Sequence, residues 1–163
     1  LLTQQPPAAL PLGPHAACLL GSFNLTRYIR KEPEVCRTFD WVQFAADIPP
    51  VVRAMDRVID IATYPLIEQE TVAMEKRRMG LGITGLSNAA EALGYRYGSP
   101  EFLEFEAKVL ELLRDVAYLA SSELAEELGS FPLLDANRFL QSGFARTLPE
   151  NVRESIADRK SVV

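Results

Sequence analysis

The sequence predicts an α/β chain that is mostly α-helical with two or three short strands. Three observations carry that prediction. Apolar residues recur at three- and four-residue spacing over long stretches, which is the period of one helix face. Two runs, Cys18–Leu25 and Met79–Leu86, are too short and too uniformly apolar or glycine-rich to read as helices. Turn residues, glycine and proline above all, punctuate the boundaries between them.

In chain order, residues 4–14 hold Pro6, Pro7, Pro11 and Pro14 with Gly13, so an irregular loop is expected there. Cys18-Leu19-Leu20-Gly21-Ser22-Phe23-Asn24-Leu25 follows as a buried strand running into a loop. Helical patterning begins at Asp40 and is expected to break at Pro49-Pro50. Val51, Val52, Met55, Val58 and Ile59 then form one apolar stripe, ended by Tyr64-Pro65, since a residue before proline is pushed out of helical geometry. Glu68 to Arg78 reads as a polar helix with acids early and bases late, matching the helix dipole.

Met79–Leu86 is expected to be a tight strand, and Ser87 or Asn88 to cap a short helix ending at Gly94. Ser99-Pro100-Glu101 starts the longest element: serine suits the N-cap, proline the first helical position and glutamate the first turn. Phe102, Phe105, Val109, Leu112, Val116, Leu119 and Leu124 are its predicted buried stripe, and Gly129 its stop. A further short helix is expected from Asp135. Strands this few and short do not make a stable sheet alone, so they need partners from elsewhere.

The 163 residues match one domain, with 48% hydrophobic and 24% charged residues, as in a soluble globular protein. The net charge of -5 argues against a nucleic-acid surface, which carries basic excess. Lys76, Arg77 and Arg78 form a local basic cluster, read as a solvated helix end rather than a phosphate site. No run approaches the roughly 20 apolar residues of a membrane span. Leu1-Leu2-Thr3 does not look like a signal peptide, and two cysteines are too few for a disulfide framework, so the expected setting is cytoplasmic.

Several groups invite chemistry. Gly80-Leu81-Gly82-Ile83-Thr84-Gly85 fits the G-x-G-x-x-G dinucleotide pattern letter for letter. That motif needs an apolar strand before its first glycine, and Met74-Glu75-Lys76-Arg77-Arg78-Met79 is not one. The competing reading is a glycine-rich strand that a neighbouring backbone approaches closely. His15, Cys18 and Cys36 lack the paired spacing of a structural zinc site. Cys18, between an irregular loop and a strand, reads either as an exchangeable thiol or as an inert small hydrophobe. Glu68, Glu70 and Glu75 solvate a helix face rather than forming a catalytic carboxylate pair.

Taken together, the order of segments resembles the large, catalytic subunit of ribonucleotide reductases. Ala17-Cys18-Leu19-Leu20-Gly21-Ser22-Phe23-Asn24-Leu25 looks like that family's A-C-x-L-G-S-[IF]-N-L segment. Met55-Asp56-Arg57-Val58-Ile59-Asp60 and Tyr64-Pro65-Leu66 are similar to its L-D-N-V-I-D and Y-P-L stretch. Arg77–Leu86 resembles its R-R-[IL]-G-L-G-V-x-G-[LF] barrel strand, and Glu123–Pro132 its E-L-A-x-E-x-G-x-[FC]-P run. The matches are collinear over roughly residues 10–150.

This resemblance implies a partial ten-stranded α/β barrel, with residues 18–157 as an internal portion of it. It implies reduction of ribonucleotides to deoxyribonucleotides by thiyl-radical chemistry, with a cysteine pair supplying electrons. Cys18 matches the pair member that follows the finger loop, its partner lying upstream. The wording around Cys18 looks most like the adenosylcobalamin-dependent class, with the iron-dependent class second. Implied partners are a ribonucleotide substrate, a thioredoxin-like reductant and a second copy of the chain as a homodimer.

Departures from the family pattern matter as much. Where it reads N-P-C-G-E, this chain has Gln5-Pro6-Pro7-Ala8-Ala9. Pro7 thus stands at the radical cysteine and Ala9 at the carboxylate, and neither side chain can carry a thiyl radical or move a proton. Residues 1–17 are accordingly expected to be a degraded finger-loop region. A catalytically dead paralogue is one explanation and a reading-frame slip is another. Residues 158–163 are expected to be a non-native tail. The expected function is a reductase portion inactive alone; the alternative is a non-catalytic helical binding or scaffold protein on the same framework.

Overall fold

The computed structural model describes residues 13–30 and 37–159. Pro7, Ala9 and Cys36 lie outside them, as do residues 160–163 of the expected tail. Strand β1 (Leu19–Asn24) leads through a 3-10 turn, Leu25–Tyr28, into the two-residue strand β2 (Ile29–Arg30), which pairs antiparallel with β3 (Thr38–Phe39). Helices α1 (Trp41–Ile61) and α2 (Ile67–Lys76) follow, then strand β4 (Met79–Thr84). The remainder is helical: α3 (Leu86–Ala92), α4 (Pro100–Leu128), α5 (Ala136–Leu140) and α6 (Glu150–Arg159).

β1 and β4 pair in parallel, with Leu19 opposite Met79 and Asn24 opposite Thr84. Parallel neighbours need a crossover, and α1 with α2 provides it. Side chains alternate along a strand, so Leu19, Gly21 and Phe23 turn to the helices while Leu20, Ser22 and Asn24 turn away. The expectation of a buried β1 is therefore corrected: one face is covered, and Leu20 on the other is 77% exposed. No closed barrel is seen among the described residues, where this pair is the longer of two two-stranded sheets.

The main core lies between the β1–β4 pair, α1, α3 and α4. Phe44 is its centre, with the rings of Phe23, Tyr28 and Phe39 packed around it at centroid distances of 5.5, 5.0 and 5.7 Å. These edge-on geometries suit the ring quadrupoles. A smaller cluster of Ala145, Leu148, Val152 and Ile156 seats α6 against Tyr118 and Leu119 of α4.

Local signals set several element ends. The Ser99 hydroxyl accepts from Phe102 N–H with Pro100 opening α4, and Gly129 stops it at φ 89°. Asp40 caps α1 and Asp135 caps α5 in the same manner.

Three expectations are corrected. Pro49-Pro50 does not break α1, because Phe44 and Ile48 before it and Val52, Met55 and Ile59 after it share one buried stripe. Burial on both sides of the prolines, with Phe44, Ile48 and Val52 in one core cluster, outweighs two missing donors. The N-cap of α3 is Gly85 at φ 71°, not Ser87 or Asn88, which sit inside the helix. On α4, Leu112, Val116 and Leu119 are half-buried while Leu113, Ala120 and Ala125 are buried, because α4 packs on α1 along one side and on α6 along another. Among the described residues no helix is long and apolar enough to cross a membrane.

Candidate functional site

Cys18 stands one residue before β1, at the end where both parallel strands begin. Leu19 N–H donates to the Arg78 carbonyl at 3.1 Å, tying the entrance of β1 to the residue preceding β4. The thiol is half-buried, and its nearest acceptor is the Leu19 carbonyl at 3.7 Å, a weak S–H contact. A pocket of about 140 Å3 adjoins it, walled by Val58 and Ile59 of α1, Tyr64, Ala73 of α2, and Arg78. Burial pushes the thiol above its ordinary value, and the positive charge of Arg78 pulls partly the other way. Cys18 is therefore a protonated thiol at neutral pH, held near a cation.

An ion-pair cluster adjoins in sequence the residues that wall this pocket. Arg77 ends α2 in the left-handed region, at φ 42°. Its Nε donates to Asp56 Oδ1 at 2.7 Å, its Nη1 to Asp60 Oδ1 at 2.7 Å and its Nη2 to the Asp56 carbonyl at 3.0 Å. Asp56 is 1% exposed and the Arg77 side chain 15%. Burial alone would lower the Arg77 pKa, but hydrogen bonds and charge from Asp56 and Asp60 outweigh it and hold the guanidinium above its usual value.

This corrects the reading of Lys76-Arg77-Arg78 as a solvated helix end, since Arg77 is turned inward. The signal available in the sequence was a carboxylate in the apolar stripe of α1. Asp56 sits beside Met55 and Ile59, and Asp60 lies one turn further on the same face.

The glycine run has a packing explanation. Gly80 and Gly82 lie within β4 opposite Leu20 and Ser22. A Cβ on Gly80 would sit 2.7 Å from Leu20 Cδ2, so the neighbouring strand uses that space. Gly85 takes φ 71°, where a Cβ would also meet Asn24 Oδ1 at 2.9 Å. α2, not another strand, ends two residues before β4, as the sequence indicated. A helix does open at Gly85, but Gly80 and Gly82 lie inside β4 rather than in a turn after it, so the arrangement does not support the dinucleotide reading.

Of the other singled-out residues, His15 is exposed at φ 58°, and Glu68 and Glu70 lie exposed in the first turn of α2 with Glu75 half-buried near its end. A second cavity of about 320 Å3 lies between β4 and α4, lined by Leu81, Leu113, Arg114, Tyr118 and Ser121 among others. It shares no lining residue with the Cys18 pocket.

Comparison with known proteins gives a consistent result. A family model described as "Ribonucleotide reductase, barrel domain" matches residues 4–159. The vitamin B12-dependent ribonucleoside-diphosphate reductase of Mycobacterium tuberculosis is 36% identical over 138 residues, covering 85% of this chain and 19% of that protein. Its namesake from Thermoplasma acidophilum is 34% identical over 122 residues, covering 75% of this chain and 15% of that protein. The ribonucleoside-diphosphate reductase large subunit of Caenorhabditis elegans is 32% identical over 116 residues, covering 71% and 14% respectively. The chain thus spans a fifth or less of the length of these curated relatives.

Proposed function

Because the chain belongs to the ribonucleotide reductase barrel-domain family, we propose that it forms part of the barrel of a large subunit and that Cys18 is one thiol of its redox pair. In that reaction two cysteine thiols become a disulfide, giving up two electrons and two protons. The ribose C2′–OH bond breaks, its oxygen leaves as water, and a C2′–H bond takes its place. The second thiol would come from a segment upstream, and a thioredoxin-like dithiol would restore the pair.

The observation that carries this reading is the position of Cys18. It is a protonated, half-buried thiol at the mouth of two parallel strands whose outer face carries small residues, Ser22, Gly80 and Gly82. Protonated thiols suit hydrogen donation, and beyond Leu20, which fills the space over Gly80, the outer face is open at Ser22.

The relatives with the widest coverage here are named vitamin B12-dependent, which supports adenosylcobalamin as the cofactor of the whole protein. Pockets for drug-sized ligands run roughly 300–1,000 Å3, and adenosylcobalamin is far larger than a drug, while the larger cavity here is about 320 Å3. The described residues do not by themselves form a site large enough to hold it.

Pro7 and Ala9 favour a second reading, a framework that binds without turning over. One assay on the full-length protein separates the two: deoxynucleotide formation from ribonucleoside diphosphates with adenosylcobalamin and a dithiol reductant. No product is expected from the protein as it stands. Product is expected after Pro7→Cys, Ala8→Gly and Ala9→Glu together, and should vanish on adding Cys18→Ser. Continued multiple turnover with Cys18→Ser in that background would sink the redox role. Nucleotide binding without turnover in every variant would establish the scaffold reading.

A further inference from the structure

We infer that Asp56 and Arg77 are positioning residues for Cys18: their buried ion pair holds the junction between α2 and β4 in the conformation that offers the Arg78 carbonyl to Leu19 and keeps α1 against the pocket beside Cys18. The inference deepens the proposed redox role of Cys18 and rests on it for its purpose.

Three observations support it. Arg77 is not glycine, yet it occupies a left-handed conformation that L-residues avoid unless their surroundings impose it. The guanidinium imposes it here, by reaching two successive turns of α1 through Asp56 Oδ1, the Asp56 carbonyl and Asp60 Oδ1. A planar fork is needed for that set of acceptors, and an ammonium group cannot replace it. One residue further, Arg78 accepts the amide of Leu19, the residue bonded to Cys18.

The same clamp closes the pocket from its other side. Val58 and Ile59, which wall the pocket beside Cys18, lie between the two clamped aspartates on α1. Aspartate and thiol therefore sit at the two ends of one short path through Arg77, Arg78 and Leu19. A buried pair of this kind adds little net stability compared with an apolar contact of similar shape. Asp56 Oδ2 is moreover buried without a hydrogen-bond partner. Geometry is the better account of why the pair is there.

The charged or titratable groups facing Cys18 across the pocket are Arg78, from the approach to β4, and Tyr64, from the turn after α1, whose hydroxyl donates to the Ile59 carbonyl at 3.1 Å. α2 contributes Ala73 to that wall, and α1 contributes Val58, Ile59 and the adjoining Ala62. Loosening the clamp admits water to the thiol and lifts its burial penalty, so more thiolate forms at a given pH.

The test is the pH profile of Cys18 alkylation by iodoacetamide in the full-length protein, read on the Cys18 peptide by mass spectrometry. Asp56→Asn and Arg77→Ala should each alkylate about tenfold faster at pH 8, with the profile moved to lower pH, because thiolate is the reacting form. The double variant should be no faster than either single one, and Arg77→Lys should behave as Arg77→Ala. Arg53→Ala, which removes a surface ion pair with Glu127, should match the parent. A parental profile in a folded Asp56→Asn protein overturns the inference. Should that variant not fold, Asp60→Asn removes only the outer carboxylate, and a smaller shift in the same direction is required of it. Alkylation needs no turnover, so failure of the clamp and failure of the redox role give different results.

Discussion

At the scale of single residues, burial decides what a polar group does in this protein. Arg77 and Tyr28 are both polar groups drawn inward by carboxylates on α1. The Tyr28 hydroxyl donates to Asp47 Oδ2 at 3.0 Å from within the aromatic cluster around Phe44. Burial, then the hydrogen bond and charge of Asp47, push its pKa up to about 12 from 10.0. The folded state thus keeps this proton at pH values where the unfolded chain loses it. Its contribution to stability is complete below pH 10 and fades as the pH rises toward 12. Melting temperature should therefore fall across that interval. Tyr28→Phe should flatten the fall while costing about 1 kcal/mol at neutral pH for the lost hydrogen bond. An equally steep alkaline loss in Tyr28→Phe would assign the effect to other groups.

At the scale of elements, the junctions are more demanding than the interiors. α1 carries two consecutive prolines and stays one helix because Ile48 and Val52 are buried on either side of them. Between β4 and α3, by contrast, the chain turns on Gly85 alone, at φ 71° and against the Asn24 side chain. Asn24 is itself engaged, accepting from Thr26 N–H at 3.1 Å, so it is not free to yield. Gly85→Ala should destabilise by roughly 1–2 kcal/mol for the left-handed backbone alone, with the close approach adding to it. Gly80→Ala presses on the flexible end of Leu20, with Cys18 Sγ in ordinary contact at 3.9 Å, and should be milder. Chemical denaturation of the two variants checks the order, and a larger loss at Gly80 would contradict it.

At the scale of the whole molecule, the described residues cover one face of the β1–β4 pair and leave the other open. The helices α1 and α4 pack on the first face. Parallel sheets are ordinarily buried on both faces, and Leu20 in the middle of the second is 77% exposed. Expressed by itself, this chain should bind a dye that reports exposed apolar surface while still melting cooperatively. Leu20→Lys should lower that signal and change stability by no more than about 0.5 kcal/mol, as surface substitutions do. Dye binding that is absent in the parent would mean the open face is covered after all.

Sequence alone determined the parts whose physics is local. Ser99-Pro100 and Gly129 bounded α4 through capping chemistry that acts within one turn, and Asp135 opened α5 likewise. The glycine run announced a strand, and the collinear motifs led to the reductase family. Tertiary structure decided what depended on residues far apart in the chain. The pairing of β2 with β3 involves two residues on each side and leaves no periodic trace. α6 is largely polar and is held by Val152 and Ile156 against α4, so its own pattern is weak. The basic cluster reads as solvated until α1 is placed beside it, because a charge turns inward only where a distant carboxylate awaits it. Cys18 shows the division most plainly. Its neighbours in sequence led to its family role, while its protonation is governed by burial and, in the opposite sense, by the charge of Arg78, both set by the fold.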